Sequence, residues 1–174
     1  MQLDIAGTTV LMVLAEVAIG FAGFSAVVAA LFRRRRSGDS MLFDEVRFLA
    51  MLEFSLSVLL FSLLPMVLSL LGVGEERVWR SASGLLAFVL IFHVVGEYIL
   101  SFRRKVVSLQ SIIWSVYIFA TVGTGVCIFF LILSIAGVPA APLAGVYISC
   151  LLWLLFMAAI HFTRLAWLVA SSTD

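Results

Sequence analysis

IAGTTVLMVLAEVAIGFAGFSAVVAALFRRRR, residues 5–36, decides the fold. The apolar run from Ile5 to Phe32 carries one charge, Glu16, before Arg33, Arg34, Arg35 and Arg36 stop it. At about 1.5 Å of helical rise per residue, it is long enough to cross the ~30 Å of hydrocarbon in a bilayer. It does not read as a signal peptide: it is too long, its basic cluster follows it, and Asp4 precedes it. The medium around this segment is therefore lipid.

Four more apolar runs follow, over residues 49–73, 82–102, 111–137 and 143–170. Composition agrees, with 64% hydrophobic residues, 12% charged residues and a mean hydropathy of +1.22. A soluble domain is nearer half apolar, and a core this small cannot hide the excess. The expected fold class is all-α: a polytopic membrane helix bundle of five transmembrane helices, forming a single domain over residues 1–174. The net charge of +1 gives no bulk field for nucleic acid. Cys127 and Cys150 both lie inside apolar runs, which argues against a disulfide framework.

The connections are short. Ser37-Gly38-Asp39-Ser40 reads as a turn, and Met41–Phe48 as a short interfacial helix mixing apolar and charged residues. Pro65 falls inside the second run and removes a helical hydrogen bond, whose freed carbonyl a neighbouring helix or Ser62 can take. Gly72, Gly74, Glu75 and Glu76 end that run, and Trp79 stands where an interfacial aromatic belongs. Pro139 and Pro142 bracket a short apolar hairpin.

Orientation follows from the basic residues. With the amino terminus outside, eight of them (Arg33 to Arg36, Arg47, Arg103, Arg104 and Lys105) face the cytoplasm. Only Arg77 and Arg80 face out, while Arg164 lies near the inner end of the last helix, within snorkelling reach. The expectation is amino terminus outside and carboxyl terminus cytoplasmic, in a bacterial plasma (inner) membrane.

Ionisable side chains within spans are the best pointers to function, because a charge in hydrocarbon is costly unless paired or wetted. Glu16, Glu53, His93, Glu97 and His161 are the ion-pathway candidates, with Arg164 near them. Glu53, Glu97 and His161 fall at similar inner depths, and His93 and Glu97 share one helix face. Such groups form either a proton or cation path or a polar network fastening helices together. In the first run Ala18, Ala22, Ala26 and Ala30 form a four-spaced row, a candidate helix-packing face. If that helix meets copies of itself, Glu16 and Arg33 to Arg36 form rings around the axis. The arginines alternatively mark topology or hold anionic lipid headgroups at the inner leaflet.

Thr121-Val122-Gly123-Thr124-Gly125, with Trp114-Ser115-Val116 upstream, resembles the selectivity filter and pore helix of potassium channels. That resemblance implies a re-entrant loop. The chain departs from it in Thr124, where the filter has tyrosine, and in the apolar Val126 to Phe130 that follows. The motif sits mid-span, so a small-residue notch crossed by another helix is the favoured reading.

Catalytic motifs are absent, with no Gly-x-Ser-x-Gly, His-Glu-x-x-His or Cys-x-x-Cys. The chain is read as not an enzyme, with no cofactor and no metal. The leading expectation is a homo-oligomeric ion channel or ion-translocating pore whose partners are the bilayer, anionic lipid and other copies of itself. The alternative is a non-catalytic membrane subunit or scaffold of a larger complex.

Overall fold

The computed structural model describes residues 7–33, 40–104, 111–138 and 142–170, with side chains over 7–27, 51–96, 118–138 and 142–163. Its elements are α1 (Thr8–Arg33), α2 (Ser40–Leu70), α3 (Glu75–Arg104), α4 (Ser111–Ile135) and α5 (Leu143–Ala170), with no strand among the described residues. All five are long and apolar enough to cross a membrane, which suggests an integral membrane protein.

Two boundaries differ from the sequence expectation. Met41–Phe48 is the first part of α2, which runs on without a break as one helix of 31 residues. α3 starts at Glu75, so Trp79 is a helical residue, only 3% exposed, and not a surface anchor. Gly74 accepts the first bond of α3 from Val78 N–H at 3.0 Å. Glu75 and Glu76 in the first turn complement its positive end. One turn in, Glu76 pairs with exposed Arg80 at 2.7 Å.

α2 and α4 end alike. Gly72 and Gly137 take φ of 78° and 77°. Gly72 N–H bonds Ser69 O at 3.0 Å and Val73 N–H bonds Leu68 O at 3.4 Å. Gly137 N–H bonds Ser134 O at 3.1 Å and Val138 N–H bonds Leu133 O at 3.2 Å. This paired closure satisfies the last carbonyls within the chain, and it needs a residue tolerant of positive φ.

The chain divides into two compact units, one of Gly7–Met66 with α5 from Leu154 onward, the other Val67–Trp153. In the first, α1 buries Leu11, Leu14, Ala15, Ala18 and Ser25, a stripe at helical spacing. α2 there buries Met51, Ser55, Val58, Phe61, Ser62 and Pro65. Phe162 of α5 meets the ring edges of Phe21 and Phe24 at 5.9 and 5.2 Å. In the second, α3 packs on α4 and buries Val78, Ala82, Leu86 and Leu90 along one four-spaced row. Trp79 sits beside that row, edge-on to Tyr147 of α5 at 5.6 Å.

Serine recurs on the buried side of α2 every seventh residue, at Ser55, Ser62 and Ser69. Small side chains let helices approach closely where lipid supplies no hydrophobic drive. Ser55 Oγ donates back to Met51 O at 2.9 Å. Ser62 Oγ is buried without a hydrogen-bond partner, so it is not the group that takes the carbonyl freed by Pro65.

Candidate functional site

α1 carries a carboxylate outside the packing of its own protomer. Glu16 is exposed, and it lies near the middle of the span Thr8–Val27. At about 1.5 Å per residue it is about 12 Å from Thr8 along the axis. Its face of the helix carries Met12, Val13, Gly20 and Gly23, of which the two valine and methionine side chains are about half exposed. A methyl group at Gly20 or Gly23 would touch nothing within 4 Å, so the helix face beside the carboxylate is open. The four-spaced alanines behave differently: Ala18 is fully buried, Ala22 half-buried and Ala26 exposed, while the side chain of Ala30 lies outside the described residues. A spacing of four advances about 40° around a helix per step, and on α1 the row has left the buried face by Ala26.

α2 and α5 bring a second pair of candidates to one level. His161 stacks on Phe54 with ring centroids 5.8 Å apart and planes 17° apart, which puts Glu53, the neighbour of Phe54, near the same height. Glu53 is exposed and His161 half-buried, and both make contacts within the protein. His93 on α3 is half-buried and also engaged. The side chains of Glu97 and Arg164 lie outside the described residues, as do Arg34, Arg35 and Arg36, while Arg33 ends α1.

The Thr121–Gly125 segment is continuous α-helix inside α4, not the extended backbone of a filter. It is the notch that a small-residue reading requires. The indole of Trp153 on α5 occupies the place of a side chain at Gly123: a Cβ there would lie 1.9 Å from the ring. Trp153 Nε1–H points to Thr124 Oγ1 at 3.4 Å, a long hydrogen bond, and its ring tilts on Phe119 at 5.1 Å. Only glycine at 123 permits that approach. One turn along, Cys150 Sγ lies 3.7 Å from Cys127 O.

Two buried polar groups escaped the sequence reading. Trp79 Nε1 and Ser83 Oγ, one turn apart on α3, have no hydrogen-bond partner. Nothing in local sequence marks them, because the i, i+4 spacing only becomes burial once α3 has its neighbours. Among the described residues no three His, Cys, Asp or Glu side chains gather as a metal site.

No protein-family model matches the chain, and no curated protein or solved structure matches it significantly.

Proposed function

We propose that the protein is a homo-oligomeric, polytopic membrane protein that moves an ion or proton, with the Glu16 face of α1 as the contact between copies. The observation that carries this reading is the exposure of Glu16 near the middle of an apolar span. A carboxylate facing acyl chains at that depth costs several kcal/mol, so it needs a covering surface or water. Gly20 and Gly23 on the same face let a second helix come close, an advantage that contact with lipid would waste.

A second copy is the occupant that fits. In a two-fold contact the same patch is used on both copies, and with the axis passing at Glu16 the two carboxylates face each other at one depth. Two carboxylates held together do not both stay ionised and bare; they share a proton or hold a cation between them. That is the chemistry of an ion site made by assembly. Glu53 and His161, held at one level by the Phe54–His161 stack, extend the path on the inner side, and His93 and Glu97 are further ion-handling candidates on α3. The eight inner basic residues orient the chain with its amino terminus out and its carboxyl terminus in the cytoplasm of a bacterial cell, and Arg33 to Arg36 receive anionic lipid headgroups.

Flux from liposomes containing the purified protein, under voltage and pH steps, tests the reading. Wild type is expected to exceed empty vesicles, and Glu16→Gln to lower that flux at least tenfold while the helices still form. Absence of flux from the wild-type oligomer overturns it. Recovery of the protein only with unrelated subunits, and never as its own oligomer, assigns the scaffold role instead.

A further inference from the structure

Cys127 and Cys150 are the chain's two cysteines, and the fold sets them side by side on α4 and α5. Cys150 is 3% exposed, and its sulfur lies 3.7 Å from the Cys127 carbonyl oxygen. The neighbouring contact fixes the register. Thr124 faces Trp153 just as Cys127 faces Cys150, so numbers rise along one helix while they fall along the other. Trp153 seated in the Gly123 notch blocks α5 from sliding along α4. The facing positions on α4, Gly123, Thr124 and Cys127, are all small, which brings the two backbones close. A disulfide needs Cα atoms about 4.4–6.8 Å apart, and Cys150 Sγ already reaches the backbone of residue 127, 3.7 Å from its carbonyl oxygen.

We propose that Cys127 and Cys150 are a redox-closable dithiol whose oxidation locks α4 to α5. Each thiol gives up its hydrogen and one S–S bond forms between the two sulfurs. The two electrons and two protons pass to a neutral, lipid-soluble two-electron oxidant such as a quinone, which leaves as its quinol. The oxidant must be neutral because the pair lies within membrane-spanning segments, where charged reagents and thiolates are both disfavoured. The inference concerns the α4–α5 contact and not the Glu16 face of α1, and its test does not depend on flux.

The full chain in phosphatidylcholine liposomes is treated with molecular iodine, which is reduced to iodide. The expected result is a monomer lighter by two hydrogens, with neither thiol open to a maleimide, and with residues 127 and 150 in one cross-linked peptide. A membrane-permeant phosphine restores both thiols. Cys127→Ser and Cys150→Ser, near-isosteric changes, each abolish the link within the chain. Unchanged mass with both thiols still reactive, oxygen added to a single sulfur, or a link formed only between two chains overturns the proposal.

Discussion

At Gly123 the absence of a side chain is a structural requirement, because the Trp153 ring already fills the space a methyl group would take. Gly123→Ala must push a rigid indole aside and lose its contact with Thr124. Overpacking of this kind costs about 1–3 kcal/mol. The expected outcome is a lower thermal midpoint in mild detergent, read by tryptophan fluorescence; an unchanged midpoint sinks the notch. Ser83 gives the opposite expectation. Its hydroxyl is fully buried and unpartnered, so Ser83→Ala removes an unsatisfied polar group rather than a bond. Stability is expected to stay level or rise by up to about 1 kcal/mol. A clear loss in the same melting experiment would show that this hydroxyl holds a partner.

Among the elements, α1 is the one whose two faces do different things. Leu11, Leu14, Ala15, Ala18 and Ser25 bind it to its own protomer, whereas Glu16, Gly20 and Gly23 look away. A bulky residue at 20 meets nothing inside the protomer. Gly20→Leu is therefore expected to leave helicity and melting unchanged while it reduces self-association at least tenfold, measured by mass in detergent. Equal oligomer populations in both proteins would exclude this face as the contact. α4 contrasts with α1: only 17% of its apolar window is buried, and Val122, Val126 and Phe129 point outward without a single charge. Such a surface suits acyl chains, and among its described residues it carries no charge comparable to Glu16.

For the whole molecule, the outstanding quantity is orientation. In the proposed orientation the inner side holds eight basic residues, four of them in the run Arg33 to Arg36. Replacing Arg33 to Arg36 by glutamine leaves Arg47, Arg103, Arg104 and Lys105 against Arg77 and Arg80, a much weaker bias. A tag at the amino terminus is expected to be reached by protease from outside in wild type, and from both sides in that variant. A tag cut only from the cytoplasmic face in wild type reverses the topology.

The five helices were legible in the sequence because hydrocarbon leaves a chain little choice: a long apolar run must satisfy its own backbone, and helix does so locally. The ends of α2 and α4 were legible for the same reason, since Gly72 and Gly137 supply the positive φ that closes a helix. Faces were not legible. A uniformly apolar helix such as α4 shows no periodic stripe, so whether Gly123 met lipid, ion or indole was decided by α5 alone. The same holds for Glu16: its depth is a property of the chain, but its exposure depends on which side of α1 the neighbouring helices took. Sequence set the helices and their stops, through local hydrogen bonding and hydropathy. Tertiary structure alone decided which small, polar and sulfur-bearing residues touch, because those contacts join positions far apart in the chain.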